Sequence, residues 1–240
     1  MVLEGCAARL AARRRYRCPA RPPLLACPER VGSVVACMAS RATCGCGKMN
    51  DMAVVHATRF TAKEYLALEA VAETRHEFTG GQIVGMAGAE LEHNQIAQNL
   101  RSELTAALGD RPCHIVGSDQ RVYVEATGEY FYPDVLVTCL EPRLVDPRPR
   151  SLVNPQLIVE VLSESTERYD RGDKWLAYRT IPSLTDYVMV SSIRREIEHY
   201  QRLPDGSWTL RPPQCDGELV LASGVILNVN RLYRLVPGLS

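Results

Sequence analysis

Two short apolar segments of this chain each carry one carboxylate. Tyr132–Val137 has the sequence YPDVLV and contains Asp134, and Leu157–Leu162 has the sequence LIVEVL and contains Glu160. Segments of this kind are typical of strands that are buried on both faces of a sheet. A carboxylate in such a strand costs free energy unless it is paired or binds a cation. If the two strands are neighbours, their carboxylates can converge on one site.

The elements around these strands predict an α/β fold. Thr61 and Glu64 form a capping box for a first helix, and Gly80 marks the turn of a hairpin. A second helix is predicted over 90–108 and a third over 168–180, with strands between and after them. This order of elements predicts a mixed central β-sheet flanked by helices.

A proline-rich stretch separates the two carboxylate-bearing strands. It carries Pro142, Pro147, Pro149 and Pro155. Prolines at this density are typical of turns and irregular connections, so we expect a surface loop here.

The first fifty residues differ from the rest of the chain in charge. They carry nine basic and two acidic side chains, a net charge of +7, whereas the remaining residues carry a net charge of −7. They show no helical or strand periodicity, and Pro-Glu-Arg at 28–30 interrupts the one apolar segment that resembles a secretory signal. We expect residues 1–51 to be a disordered Arg/Cys-rich extension and residues 52–240 to be one domain. The extension is either an organelle transit peptide or, as we favour, an over-extended gene start ahead of Met49 or Met52.

Cysteine is distributed as unevenly as charge. Six of the nine cysteines lie in the first fifty residues, and only Cys113, Cys139 and Cys215 follow. Three scattered cysteines in a large domain are typical of small buried hydrophobes in a reducing compartment, and not of a disulfide framework. No apolar run reaches the 18 residues that a membrane span needs. We therefore expect a soluble, cytoplasmic domain with no membrane partner.

The third predicted helix carries three further polar residues on one face. Asp170, Lys174 and Tyr178 follow one another at four-residue spacing and so share a helical face. Asp170 and Lys174 are either a surface ion pair of little energetic weight or part of the acidic site. Beside a metal-bound carboxylate pair, a lysine can orient water and stabilise charge that develops on phosphorus. Mg²⁺ suits two carboxylates, since it takes hard oxygen ligands and keeps bound waters.

The central motifs resemble a known family. PDVLV, a proline-bearing connection, PQLIVEVLSEST and RYDRGDKWLAYRTIPSLTDYVMV occur in this order, preceded by RHEFTGGQIVGMAG and a helix that begins at Glu92-His93-Asn94. This arrangement resembles the Uma-type putative restriction endonuclease family of the PD-(D/E)XK nuclease superfamily. The resemblance covers nearly all of Met52–Val236 and implies a restriction-endonuclease-like core.

The resemblance also implies roles for individual residues. Asp134 matches the acidic residue of the PD motif, and Glu160 matches the acidic residue of the second half-motif. Leu162 occupies the usual lysine position, and Lys174 on the following helix is the matching lysine. Glu77 matches an upstream glutamate. The resemblance therefore implies Asp134, Glu160 and Lys174 as catalytic residues, and Asp134, Glu160 and Glu77 as ligands of Mg²⁺, with Mn²⁺ as the alternative ion.

The function implied is Mg²⁺-dependent hydrolysis of DNA phosphodiester bonds, with Lys174 positioning the attacking water or neutralising charge. Members of the family are often dimeric, so the resemblance allows a homodimer, and the sequence itself leaves the oligomeric state open. Two alternatives stay open. The first is a non-catalytic metal- or nucleic-acid-binding regulatory protein that retains the nuclease fold, which the lysine missing from the strand supports. The second is hydrolysis of another phosphate ester, for which an acidic surface matters less.

Two further polar residues have a structural and a functional interpretation. His93 lies on the apolar face of the second predicted helix, four residues before Ala97, which favours a hydrogen-bonded structural histidine over a phosphate contact. Tyr178 is expected to be a core residue with a satisfied hydroxyl group, and not a catalyst.

Overall fold

The computed structural model describes residues 59–86, 88–146 and 148–239. These residues lie in the second of the two units into which the chain divides, which spans Thr58–Ser240. The predicted extension over residues 1–51 lies outside the described residues. None of the helices within the described ranges is long and apolar enough to cross a membrane.

The described chain alternates short strands with a few helices. The strands are β1 (His76–Thr79), β2 (Gln82–Gly85), β3 (His114–Gly117), β4 (Val122–Val124), β5 (Glu129–Phe131), β6 (Val135–Thr138), β7 (Leu144–Val145), β8 (Ser151–Leu152), β9 (Leu157–Leu162), β10 (Asp186–Ser191), β11 (Ile197–Arg202), β12 (Trp208–Gln214), β13 (Glu218–Val220) and β14 (Ile226–Asn228). The helices are α1 (Ala62–Glu69), α2 (Leu91–Leu108), α3 (Glu167–Tyr169), a π-helical turn (Asp170–Lys174), α4 (Trp175–Tyr178) and α5 (Val229–Leu232).

One six-stranded sheet has the order β12-β11-β10-β9-β6-β3. Strands β9 and β10 run parallel, and the other neighbouring pairs are antiparallel, so the sheet is mixed, as the sequence predicted. Strand β6 pairs directly with β9, with Val135 opposite Val159. Asp134 immediately precedes β6, so one further step in this register brings it opposite Glu160. The two carboxylate-bearing strands are therefore neighbours.

Helices cover both faces of this sheet. Because side chains alternate along a strand, Val159 and Val161 of β9 pack on one face with Ile96 and Leu100 of α2. Ile158 and Leu162 pack on the other face, in the cluster that also contains Tyr178 of α4. Glu160 lies between Ile158 and Leu162 in this alternation. Its carboxylate is thus directed toward the segment formed by α3, the π turn and α4.

A second six-stranded sheet has the order β2-β1-β5-β4-β8-β7. Its small core contains Tyr65 of α1, whose ring centroid lies 5.3 Å from that of Phe78 and 5.1 Å from that of Tyr130. The predicted capping box of α1 is present. The β1–β2 turn uses Gly80 and Gly81 at φ 56° and 79°, a region that favours glycine.

The proline-rich stretch is more ordered than the sequence predicted. It contains β7 and β8, which pair with each other, and β8 also joins β4 in parallel through Leu152 opposite Val122. The expectation of a plain surface loop is therefore wrong for these strands. Leu152 is buried, and this burial offsets the cost of ordering a segment rich in proline.

Two of the downstream cysteines are joined. Cys113 precedes β3 and Cys139 follows β6, one step beyond the pair His114 and Thr138, and a disulfide links them. The expectation that these cysteines are separate small hydrophobes is wrong. Sequence spacing could not reveal the pair, because the two residues become neighbours only through the antiparallel register of β3 and β6.

Candidate active site

The ammonium group of Lys174 lies among three carboxylates. Its Nζ is 3.0 Å from Glu77 Oε1, 3.2 Å from Asp170 Oδ1 and 3.3 Å from Glu160 Oε1. The four side chains are buried, and Lys174 is only 6% exposed. The structure therefore brings together Glu77, Glu160 and Lys174, three of the residues that the sequence analysis selected.

These residues come from separate elements. Glu77 is on β1 of the second sheet, and Glu160 is on β9 of the first. Asp170 and Lys174 are the first and last residues of the π turn that connects α3 to α4. Single π-helical turns within α-helices are frequently found at functional sites. The predicted third helix is thus present in outline, with a π turn at the position where it reaches the acidic residues.

Asp134 lies beside this group. Its Oδ2 accepts a hydrogen bond from the backbone N–H of Val161 at 2.7 Å and lies 3.2 Å from His93 Nε2. Its own backbone N–H donates a longer bond to Glu160 Oε2 at 3.4 Å. Within the described part of the chain, Asp134 Oδ1 has no hydrogen-bond donor. Because both contacts fall on Oδ2, Oδ1 is the oxygen that Asp134 can offer to a ligand.

Two further donors orient the buried glutamates. The hydroxyl of Tyr178 donates to Glu160 Oε1 at 3.0 Å, and the backbone N–H of Tyr132 donates to Glu77 Oε1 at 3.0 Å. Tyr178 is fully buried, so the interpretation of it as a core residue with a satisfied hydroxyl group agrees with the structure. Both bonds go to Oε1, the oxygen that also contacts Lys174, and so help to fix the orientation of the two carboxylates.

The site carries an excess of negative charge. The carboxylates of Glu77, Glu160 and Asp170 surround one lysine, and that of Asp134 adjoins them. With all five groups ionised, the net charge is −3. Burial raises the pKa of Glu160 well above its usual value; Lys174 lowers it, but the neighbouring carboxylates raise it further.

Neighbouring carboxylates raise the pKa values of the two basic side chains at the site, Lys174 and His93. Burial alone would lower the pKa of Lys174, but the charges of Glu160, Glu77 and Asp170 outweigh it and raise the pKa well above its usual value. Burial also tends to lower the pKa of His93, but the hydrogen bond to Asp134 and its charge raise it overall. Lys174 is therefore an ammonium ion at neutral pH and cannot serve as a base.

The donor atoms suit a hard cation, although they are not arranged around one. Among the residues that the structure describes, no three of His, Cys, Asp and Glu are grouped as ligands of a metal ion. The reason is visible in the distances, because Lys174 Nζ occupies the point where the carboxylates of Glu77, Glu160 and Asp170 converge. Two oxygens have no contact with Lys174 among the described residues, Asp134 Oδ1 and Glu160 Oε2, and both are of the kind that Mg²⁺ prefers.

A cleft of about 1600 Å³ opens onto these side chains. It runs between the β1–β2 hairpin, the first half of α2 and the segment that follows β9. Ten Asp and Glu residues line it, against three Arg and Lys residues. The acidic character found in the sequence is therefore concentrated at the candidate site.

A family model for putative restriction endonucleases, Uma2, matches residues 62–230. The chain belongs to the Uma2 family. The uncharacterized protein sll1609 of Synechocystis sp. is 41% identical over 160 residues, which cover 66% of this chain and 90% of that protein. The uncharacterized protein slr1290 of the same organism is 38% identical over 181 residues, 73% of this chain and 92% of its own length.

The fold of this Uma2 chain also has a counterpart among solved structures. The crystal structure of a putative nuclease belonging to DUF820 from Anabaena variabilis superposes with a TM-score of 0.58 at 16% sequence identity. The match covers 72% of this chain and 97% of the other. Identity at this level shows the fold alone, which is nuclease-like. The predicted fold class and family resemblance are thereby confirmed.

Sequence reasoning left Asp170 of this Uma2 protein outside the proposed site. Its spacing from Lys174 showed that the two could pair, but the alternative of a surface ion pair was equally consistent. The structure decides this point, since Asp170 is 3% exposed. His93 contacts Asp134, as expected for a hydrogen-bonded histidine, and its other ring nitrogen, Nδ1, is buried with no partner in the described residues.

Proposed function

We propose that this protein is a Mg²⁺-dependent endonuclease that hydrolyses phosphodiester bonds in DNA. The observation that carries the proposal is the surplus of carboxylates around Lys174 at the base of a large cleft. Four buried or half-buried carboxylates with one lysine are unfavourable together unless a further cation joins them. Membership of a family described as putative restriction endonucleases supports the same activity.

Asp134 and Glu160 would hold the metal ion through Asp134 Oδ1 and Glu160 Oε2, the oxygens that do not contact Lys174. Glu77 is the proposed third ligand; its Oε1 is bonded to Lys174 and to Tyr132, which leaves Oε2 as the atom it could offer. A divalent ion bound there would supply Lewis-acid activation of the scissile phosphate and of a bound water. Mn²⁺ has the same ligand preference and is the expected substitute.

Lys174 contributes positive charge beside the reacting phosphate. Because it is protonated at neutral pH, its role is to stabilise negative charge that develops on the phosphoryl oxygens. It would orient the attacking water by exchanging one of its three carboxylate contacts for a hydrogen bond to that water. Its side chain reaches Glu160 from the π turn, which explains why Leu162 can occupy the strand position where a lysine is usual. Asp170 and Glu77 hold the ammonium group in place.

A non-catalytic protein that retains this fold is the second candidate. The three short contacts of Lys174 favour it, since a lysine that is fully paired inside a protein can be a structural element. Such a protein would bind metal or nucleic acid without turnover.

For the catalytic candidate we propose a homodimer, because two sites related by a two-fold axis can cut both strands of a duplex.

Cleavage assays on the full-length protein separate these candidates. Supercoiled plasmid and single-stranded DNA are incubated with Mg²⁺, with Mn²⁺ or with EDTA. We expect metal-dependent cleavage that falls by about 100-fold or more in Asp134→Asn and Lys174→Ala, the range found when a group that stabilises transition-state charge is removed. The matched controls are Asp173→Asn, an exposed carboxylate of the same π turn, and Lys63→Ala, an exposed lysine of α1.

Each outcome has a distinct meaning. Cleavage that persists unchanged in both site variants would contradict the proposal and indicate a contaminating nuclease. Metal binding without cleavage of any nucleic acid would favour the non-catalytic candidate. Loss of cleavage in the control variants as well would show that the substitutions act through folding and not through the site.

A further inference from the structure

We infer that Arg101 is a second binding position in the cleft, for a backbone phosphate of the nucleic acid about one to two nucleotides from the phosphate at Lys174. This inference rests on the proposed function and extends it. It adds a residue that makes no contact with the carboxylate group and has no part in the chemical step.

The position of Arg101 on α2 places it in line with the acidic site. His93, Ala97 and Arg101 follow one another at four-residue spacing, share one face of the helix, and all line the cleft. His93 is the first of these three residues and contacts Asp134. The position that a Cβ atom of Gly117 would take is 3.2 Å from Arg101 Nη1 and 3.7 Å from the backbone oxygen of Asp134, so the guanidinium lies within about 7 Å of Asp134. Successive nucleotides of one strand rise about 3.4 Å, so this distance corresponds to about one to two nucleotides.

The surroundings of Arg101 leave its charge available. Of the three Arg and Lys residues that line the cleft, Arg75 pairs with Asp119 and Lys174 pairs with three carboxylates. Arg101 is exposed, and in the described ranges no carboxylate lies within ion-pair distance of it. Its nearest polar partner is the neutral amide of Gln98, whose Oε1 accepts a hydrogen bond from Nη2 at 2.7 Å. In a cleft dominated by acids, a cation without an acidic partner is an anion-binding group.

The backbone beneath Arg101 is shaped to admit its guanidinium. A Cβ atom at Gly117 would lie 3.2 Å from Arg101 Nη1, closer than ordinary van der Waals contact. Ala97 is the residue between Arg101 and His93 on the same helix face. A guanidinium held by Gln98 above a glycine can present two N–H groups to one phosphate, which a flexible lysine could not do as specifically.

Binding measurements with the full-length protein test this inference. Affinity for a fluorescent 12-nucleotide strand is measured by anisotropy in Ca²⁺ over a range of salt concentrations, for wild type, Arg101→Gln and Arg101→Lys. Arg111→Gln is the matched control, since Arg111 is exposed beyond the other end of α2 and outside the cleft. A dinucleotide with a single phosphodiester competes for the metal-side position only.

We expect Arg101→Gln to weaken 12-nucleotide binding about four- to fivefold at 0.15 M salt and to reduce the salt slope by about one contact, the effect of releasing one fewer counterion. Arg101→Lys should keep the slope and lose less affinity. The dinucleotide inhibition constant should be the same in both variants as in wild type, and Arg111→Gln should match wild type throughout.

Three results would overturn the inference. If wild type binds the strand and Arg101→Gln binds it equally well, Arg101 makes no phosphate contact, and the proposed function is unaffected. If Arg111→Gln loses as much affinity as Arg101→Gln, the effect is one of general charge. If wild type binds no nucleic acid, the proposed function and this inference both fail.

Discussion

Two buried carboxylates on neighbouring strands, Glu160 of β9 and Asp186 of β10, have opposite surroundings. Both are 2% exposed. Asp186 is satisfied locally, because it accepts hydrogen bonds from Thr185 Oγ1 at 2.8 Å and Ala222 N at 3.0 Å, and its Oδ1 lies 2.8 Å from His199 Nε2. Glu160 shares one lysine with two further carboxylates and adjoins a third, at a cleft.

The difference separates a structural carboxylate from a functional one. Burial is the same in the two cases, so burial alone does not identify a site. Around Asp186, groups on Thr185, His199 and Ala222 lie within hydrogen-bond distance of the carboxylate oxygens. Around Glu160, acids outnumber bases and solvent can enter. A surplus of like charge beside an open cleft is the feature that indicates a ligand.

Among the variants that compare the two carboxylates, removal of Lys174 should change the free energy of unfolding most. Lys174→Met leaves three buried carboxylates without a counterion, which should lower the free energy of unfolding by about 3–5 kcal/mol. Urea unfolding in EDTA measures it, with Lys63→Met as the exposed control. A loss below about 1 kcal/mol would contradict the account, since it would mean that the carboxylates do not depend on Lys174.

Removal of the charge at the structural carboxylate should change stability alone. Asp186→Asn leaves one donor of the set Thr185, His199 and Ala222 without a good acceptor, and should cost about 1–3 kcal/mol. Metal affinity and cleavage per folded molecule should match wild type. Altered metal affinity in this variant would show that the two carboxylates are not independent.

The pH dependence of stability should be a smaller effect with a defined sign. A carboxyl group whose pKa is raised on folding binds more protons in the folded state, so stability falls as pH rises above the unfolded value of about 4.3 toward the folded value. Metal-free wild type should therefore lose stability as pH rises from about 4.3 toward the raised folded-state pKa of Glu160, and Glu160→Gln should flatten this decline. Below pH 6 the raised pKa of His93 contributes little, and Lys174 stays protonated throughout.

Urea unfolding at several pH values in EDTA measures the two slopes. Asp173→Asn is the control for loss of one carboxylate, because its side chain is exposed. Equal slopes in wild type and Glu160→Gln would contradict the assignment of the decline to this residue.

Much of the fold followed from local patterns. Alternation and apolar content identified the strands of Asp134 and Glu160, and helical spacing identified α2 and the face that carries Asp170 and Lys174. These features depend on residues close together in sequence. The neighbour relation of β6 and β9 was only a condition of the sequence interpretation, and the antiparallel register of the two strands meets it.

The parts that sequence did not predict depend on long-range register. The disulfide of Cys113 and Cys139 and the parallel pairing of β8 with β4 through Leu152 join segments whose approach no local pattern encodes. The role of Asp170 was ambiguous for the same reason. An aspartate four residues before a lysine pairs with it on a surface as well as in a core, and only the position of β9 and β1 decides between them.

Calorimetric titration of metal into the full-length protein tests the central claim most directly, that the surplus of carboxylates is a cation site. With Mn²⁺ or Mg²⁺ we predict one saturable binding event in wild type and in Asp173→Asn, and its loss in Asp134→Asn and Glu160→Gln, both of which should remain folded by circular dichroism. Wild-type heats that are indistinguishable from those of Glu160→Gln would contradict the account, because the four carboxylates would then coexist without the cation that it requires.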